Sequence, residues 1–492
     1  MTETIYSSFI ETKNGSQIPL LKSGRTLESR YNPQKEAENI INSLDSTYSF
    51  FLILGLGSGI LAEEILKKID ASKIIILEKS QADFDFLKTN QNIKKLLTNE
   101  RIITSDIENL SKALINNYLP AKYGSLKIIE QKNWLLENSE LKNDINISIQ
   151  DAINQISADF SVQSHFGKIW TTNILNNIKL FSQLPPPPSF NPDLSKTALV
   201  VAAGPSLDSK ITQIMEKRDQ YYIISTDTAF STLFNQGIES DIVISLDCQS
   251  VSQNHFIHKF NNKNTLFLFD LCGNFSAAKS LYQKGQNISY FISGHPLSNL
   301  FNYYCKNKML KLESGAGTVT IAALDFALQA GFNKIEIFGA DFAYLNGKSY
   351  TKATYLDKLY NSTSNKLLNS EKIYDKLLFR TELTVVDKNK KSTKILDSYK
   401  TSLINFLNQR NLSFEYKNDT YFIRSNKKPE KLFENINIKY SEFISFLSEL
   451  KDSEIENLLL PYISWLRNKP ENSQLKYKEF LQLAHSFIVS YN

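Results

Sequence analysis

Only three cysteines, Cys248, Cys272 and Cys305, occur among the 492 residues. They are too few and too scattered for a disulfide framework or a zinc site, and they fit a reducing compartment. Neither sign of charge dominates: 56 basic and 51 acidic residues leave a formal +5, which is no nucleic-acid-binding signature. The densest basic run, "KNKKSTK" at 388–394, is short and reads as a solvated loop. Long apolar runs are missing too. The longest, "FFLILGLGSGIL" at 50–61, is broken by three glycines and too short to span a bilayer. The opening "MTETIYSSFIETKNG" has an early Glu and no apolar core, unlike a signal peptide. These absences predict a soluble cytoplasmic protein without nucleic-acid or membrane partners.

What is present points to an α/β protein of roughly two to four domains, with 42% hydrophobic residues to fill its cores. Residues 1–184 read as an N-terminal Rossmann-like α/β domain, 185–195 as a proline-rich linker around "PPPP", 196–384 as a central domain and 385–492 as a mainly helical C-terminal domain. "KNGS" at 13–16 signals a hairpin turn, and "NPQKEAENIINSL" at 32–44 a capped amphipathic helix. Residues 125–180 read as mostly helical. Near the C-terminus, "KYSEFISFLSELKDSEIENLLLPYISWLRN" is amphipathic, and Pro461 is expected to interrupt it.

Two glycine turns compete as ligand sites. The first, Gly55, Gly57 and Gly59, follows a strand and precedes a helix. Glu78 ends the next strand, as in dinucleotide-binding and S-adenosylmethionine-binding units. Such a turn is a weak signal alone, and tight packing explains it equally well. The second, "ALVVAAGPSLDSKI" at 198–211, has Gly204 at a sharp turn, then Pro205, Ser206 and a helix-like segment. Exposed N–H groups at a helix start, with the Ser206 hydroxyl, suit an anion, although an N-cap also explains Ser206.

The second turn has company. "TALVVAAG", "YYIISTD", "DIVISLD", "NTLFLFD", "ISYFISG", "MLKLESG" and "KIEIFGADF" are apolar runs separated by helix-like segments. Such runs predict a mostly parallel, doubly wound sheet covered on both faces. Small or acidic residues end them: Gly204 and Ser206, Asp227, Asp247, Asp270, Ser293, Ser314 and Asp341. In this class of fold the carboxyl edge binds ligands. "SGAGTVTIAALDFALQAG" at 314–331 opens a long helix with a further small-residue turn, and "GADFAYLNGKSY" at 339–350 adds Tyr344 and Tyr350. Phenolic hydroxyls donate to phosphate without adding charge.

Together, "ESRYNPQKEAENII", "LILGLGSG", "VVAAGPSLD", "STDTAF…GIESDIVISLDCQ", "SGAGTVTIAALDFALQAG" and "FGADFAYLNGKSY" resemble the motility accessory factor family, over about residues 28–355. These are bacterial glycosyltransferases of flagellin, and their central domain is similar to sialyltransferases using CMP-activated nine-carbon acidic sugars. The resemblance implies a sialyltransferase-like central domain. It further implies cytoplasmic transfer of a pseudaminic- or legionaminic-type sugar from its CMP form to Ser or Thr of flagellin, in support of flagellar assembly and motility. Carried over, the donor contacts fall on Gly204, Ser206, Ser314 and Gly315, and the phosphate contacts on Tyr344 and Tyr350. Thr226, Asp227, Asp247 and Gln249 join the donor set, Thr318 adds to the sugar-carboxylate turn, and Asp341 is expected to orient the loop carrying Tyr344.

The sequence departs from that pattern in places. The sialyltransferase tyrosines lie one residue closer to the Asp, and residues 351–400 contain no His to match the family's base, so the base stays unassigned. A related pterin pyrophosphokinase group has a more acidic, metal-binding "TDLDG" where "SLDCQ" stands here. Asp247 remains but the second acid is missing, so no obligatory metal or cofactor is expected. The alternatives are a metal-dependent pyrophosphokinase using ATP, a methyltransferase at the first turn, and a flagellin-binding chaperone without catalysis.

Overall fold

The computed structural model describes residues 3–44, 48–186, 190–257, 263–315, 317–364, 372 and 379–491, with backbone alone at 358, 361 and 363. The chain forms two compact units, one of residues 1–168 and 459–486, the other of 169–458 and 487–492. This division differs from the one read from composition. The boundary falls inside the 40-residue helix Lys142–Phe181, because a continuous helix has no compositional break to mark it. Part of the proline run lies outside the described residues. The C-terminal region contributes to both units.

In the first unit, strands β1 (Tyr6–Glu11) and β2 (Gln17–Leu21) pair antiparallel across the expected turn. Helix Pro33–Asn42 starts where predicted, with the Asn32 side chain accepting from Lys35 N. Strands β3 (Tyr48–Leu54), β4 (Lys73–Leu77), β5 (Ile102–Ser105) and β6 (Ser125–Glu130) form a parallel sheet in the order β5-β4-β3-β6. Residues 125–180 are mostly helical, as read, and strand β6 is the exception. Its mixed "SLKIIE" has the apolar content of either element, and only pairing with β3 decides. The amphipathic C-terminal stretch is interrupted where expected: one helix ends at Leu458 and the next, Leu460–Arg467, starts with Pro461 in its first turn, where its missing N–H costs no hydrogen bond.

The second unit is built on the predicted runs. All seven form strands: β7 (Thr197–Val201), β8 (Tyr221–Thr226), β9 (Ile242–Ser245), β10 (Leu266–Asp270), β11 (Asn287–Ile292), β12 (Leu310–Lys311) and β13 (Lys334–Phe338). Two short strands, β14 (Tyr344–Leu345) and β16 (Lys390–Ser392), pair with each other, and β15 (Thr384–Asp387) completes their small sheet. A hairpin of β17 (Ser413–Lys417) and β18 (Thr420–Arg424) adds antiparallel to β13. The result is a nine-stranded sheet ordered β12-β11-β10-β9-β8-β7-β13-β18-β17, parallel apart from that hairpin. From Tyr440 onward the described C-terminal region is helical.

The central strands are buried on both faces, which is why they read as continuous apolar runs rather than alternating ones. Helix Val319–Gln329 packs on β7, β8 and β9 and is buried nearly all round. From β7 the chain steps outward through β8 to β12, then returns to place β13 on the other side of β7. The topological switch point is therefore the β7–β13 junction, the position where open α/β sheets bind ligands. The loops after β9 and β10 are held by two asparagine side chains. Asn173 donates to the carbonyls of Cys248 and Cys272, and Asn177 to those of Leu271 and Gly273.

Candidate functional site

The turn after β7 and the turn after β13 are built against each other. Gly204 N donates to Gly339 O at 2.7 Å, and Ser206 N to Asp341 Oδ2 at 2.9 Å. Gly204 has an ordinary φ of −67°, so its glycine serves close approach, not conformation. A Cβ there would lie 2.3 Å from Asp341 Oδ2 and 2.4 Å from Gly339 O.

Two expectations are corrected at this point. The segment after Gly204 is a five-residue 3-10 turn, Pro205–Ser209, and the Ser206 N–H is spent on Asp341, so it is no open helix-start anion site. Asp341 holds the turn after β7 rather than the Tyr344 loop. Burial raises the Asp341 carboxyl above its ordinary range, opposed by the Ser206 hydroxyl and N–H.

The loop following β13 lies over this junction. Thr351 N donates to Ala203 O, Thr351 Oγ1 to Asp208 Oδ1 at 2.6 Å, and Lys352 N to the same oxygen at 2.9 Å. Further on, Thr232 Oγ1 donates to Lys352 O and Asn235 Nδ2 to Ala353 O, tying the loop to the helix after β8. Phe342 and Ala353 hold positive φ values of 46° and 63°, a conformation non-glycine residues adopt at a cost of about 1–3 kcal/mol.

Electrostatics link tyrosines of this segment to Asp227, which follows β8. Tyr344 sits in β14, paired with Lys391. Tyr350 is 38% exposed, yet burial around its hydroxyl pushes its pKa up to about 12. Tyr344, Tyr355 and Asp227 act in the same direction and Arg380 against it. Burial also raises Tyr355, assisted by Tyr360, Asp247 and Asp227. Tyr350 thus feels Tyr344, Tyr355, Arg380 and Asp227, and Tyr355 feels Tyr360, Asp247 and Asp227.

The two acids differ in their commitments. Asp227 is buried, with Oδ1 accepting from Thr228 N and Oγ1 and Oδ2 accepting from Ser245 Oγ at 2.8 Å. Asp247 is half-buried and accepts from Gln249 N. Burial raises it, the Asp227 charge adds to this, and His255 opposes. Thr226 caps the helix Asp227–Asn235 through Ala229 N. Gln249 is exposed, and its carbonyl accepts from Asn274 and Ser252.

Sequence reasoning missed Tyr355 and His255. The His255 ring meets Tyr355 edge-on at 4.6 Å between centroids, on the 3-10 segment Ser250–Phe256 after β9. The family resemblance implies a histidine downstream of β13, and nothing local in the sequence marks this upstream one. Tyr355 begins the helix Tyr355–Thr363 after "SYTKAT", and Thr354 ahead of it is the local signal of a helix start.

Several buried polar atoms around these loops form no hydrogen bond of good geometry among the described residues. They are Ser206 Oγ, Asp341 Oδ1, Ser349 Oγ, Thr354 Oγ1 and His255 Nδ1, all on residues less than a tenth exposed. Buried polar groups in proteins are normally satisfied, so such a concentration is what a ligand-binding surface provides.

The Ser314 turn is held separately. Gly317 N and Thr318 N donate to Ser314 O, and Thr318 precedes helix Val319–Gln329 without a side-chain cap. Gly315, with φ +55°, packs on Ile321 and near Ser402. Its helix nevertheless starts at the carboxyl edge of the sheet.

Among the described residues, no group of three His, Cys, Asp or Glu side chains stands ready to hold a metal ion. Nor is any helix there long and apolar enough to cross a membrane.

Fold and site together define a doubly wound α/β protein whose loops after β7 and β13 are bonded to each other at the switch point. A family model described as 6-hydroxymethylpterin diphosphokinase MptE-like matches residues 170–347. A protein of Treponema pallidum (strain Nichols), described only as uncharacterized, is 34% identical over 142 residues, 29% of this chain and 67% of its own. The chain belongs to the family of that treponemal protein. A second match from the same organism, also described as uncharacterized, is 29% identical over 231 residues, 46% of this chain and 75% of its own. Among solved structures, a Maf glycosyltransferase from Magnetospirillum magneticum AMB-1 aligns over 100% of this chain and 86% of its own. Its identity is 14% and its TM-score 0.45, too low to establish a shared fold.

Proposed function

We propose that the protein is a glycosyltransferase that moves a nonulosonic acid from its CMP form to Ser or Thr hydroxyls of flagellin, in the cytoplasm. The observation that carries this reading is the segment bearing Tyr344, Tyr350 and Tyr355, bonded back onto the turn after β7 through Thr351, with Tyr350 and Tyr355 both under the influence of Asp227. Breaking a CMP–sugar bond leaves charge on a phosphate that is already anionic. Neutral O–H donors stabilise that charge without demanding a metal. Arg380 adds a cation near Tyr350. The sugar's carboxylate is assigned to the Ser314, Gly315 and Thr318 turn, and the donor's ribose and base to Thr226, Asp227, Asp247 and Gln249. The resemblance of the motifs to motility accessory factors supplies the substrate class.

The test is incubation with a CMP-nonulosonic acid and purified flagellin, followed by mass spectrometry of the intact acceptor. A mass increase of one sugar, lost on Tyr350→Phe, supports the reading. An unmodified acceptor across both sugar types contradicts it.

The family match over residues 170–347 favours a second reading, a pyrophosphokinase acting on a pterin. Such an enzyme needs carboxylates free to hold Mg²⁺ and ATP. Here both oxygens of Asp227 are engaged by Thr228 and Ser245, and one of Asp247 by Gln249. Mg²⁺-dependent transfer from ATP to a hydroxymethylpterin is the assay that would establish it.

A further inference from the structure

The first glycine turn also lies at a switch point. From β3 the chain moves to β4 and β5 on one side and returns with β6 on the other, so a nucleotide crevice is expected between β3 and β6. Gly55, Gly57 and Gly59 all have positive φ, and the helix Ile60–Lys68 follows.

Side chains of the protein itself fill that crevice. Trp134, on helix Lys132–Glu137 after β6, is fully buried, and a Cβ on Gly55 would lie 2.6 Å from its ring. Its Nε1–H donates to Glu78 Oε2 at 2.7 Å. The other oxygen of Glu78 receives Leu56 N at 2.7 Å and the Tyr6 hydroxyl at 3.0 Å. In dinucleotide-binding units the acid at this position receives ribose hydroxyls. Glu28, from the segment between β2 and helix Pro33–Asn42, places Oε1 on the Ser58 N–H. A Cβ on Gly57 would lie 2.1 Å from that oxygen. Glu28 Oε2 is buried and has no hydrogen-bond partner among the described residues.

We propose that this crevice is an anion and nucleoside site permanently occupied by an intramolecular ligand. The indole of Trp134 takes the place of a nucleoside, bonded to Glu78 as a ribose is. The Glu28 carboxylate takes the place of the ligand's anionic group on the turn. The N-terminal unit thus keeps the architecture of a nucleotide domain while binding no free dinucleotide or S-adenosylmethionine. The turn remains a receptor for small carboxylates once Glu28 is removed, because its N–H groups and glycine geometry are unchanged.

The experiment is chemical rescue in the full-length protein. Sodium formate titrated at pH 8 is expected to raise the melting temperature of Glu28→Ala by about 2–4 °C at tenfold excess over its Kd, with no matching rise in wild type or Glu28→Gln. An absent rise, or an equal rise in all three proteins, overturns the proposal. Calorimetric titration of the wild type with NAD and with S-adenosylmethionine is independent of whether the variant folds. Absence of binding is expected, and saturable binding of either overturns the proposal.

Discussion

The backbone N–H of Ser206 donates to Asp341 Oδ2 at 2.9 Å, joining the loops that leave two neighbouring strands, β7 and β13. The junction leaves no room for a side chain at residue 204. Gly204→Ala forces a Cβ against the backbone carbonyl of Gly339, 2.4 Å away, and backbone cannot rotate aside. We expect a destabilisation of about 1–3 kcal/mol, read from urea unfolding. A midpoint equal to wild type would show that the junction is looser than described.

Among the three phenols, the roles differ by commitment. Tyr350, with both Tyr344 and Tyr355 in reach, is expected to matter most for departure of the CMP phosphate. Tyr350→Phe should lower kcat roughly ten- to a thousand-fold, by analogy with donors to developing negative charge, with a smaller change in KM. Tyr355→Phe should fall in the same direction, because Tyr355 feels the charges of Asp227 and Asp247. Near wild-type turnover in both variants would remove the phosphate role from this loop.

Burial raises Glu28 to about 7 and Glu78 to about 8. Native protein therefore holds protons that the unfolded chain releases near its ordinary carboxylate pKa. The stabilisation from this source is complete below about pH 4.5 and is lost as pH rises through about 7 and then about 8. Melting temperature is expected to fall over that window, and Glu28→Gln should flatten the fall. A melting temperature that rises across it in the same buffers would contradict the assignment.

Much of this architecture is legible in the sequence, and the exceptions share one cause. The seven apolar runs of the second unit become strands because each is buried on both faces, a property written in consecutive residues. The acids and small residues at their ends follow directly. Strand order is not local, however, so the β7–β13 switch point and the clasp of Ser206 by Asp341, 135 residues apart, emerge only from the fold. The same holds for His255 against Tyr355 and for Trp134 against Gly55. The glycine fingerprint at 55–59 is legible, whereas its occupation by Glu28 depends on a contact 30 residues away.

Catalysis is expected to proceed without a divalent cation, since Asp227 is fully engaged and Asp247 partly so. Transfer should persist at wild-type rate after EDTA treatment. Activity abolished by EDTA and restored by Mg²⁺ or Mn²⁺ would move the account toward the pyrophosphokinase reading.

The central claim is that the donor nucleotide binds at the second glycine turn and not at the first. Calorimetric titration of CMP into wild type, Ser206→Ala and Glu28→Ala tests it most directly. Binding to wild type is expected, with affinity reduced about two- to tenfold in Ser206→Ala, the loss of one ordinary hydrogen bond, and unchanged in Glu28→Ala. CMP affinity that is indifferent to Ser206→Ala but altered by Glu28→Ala would contradict the account.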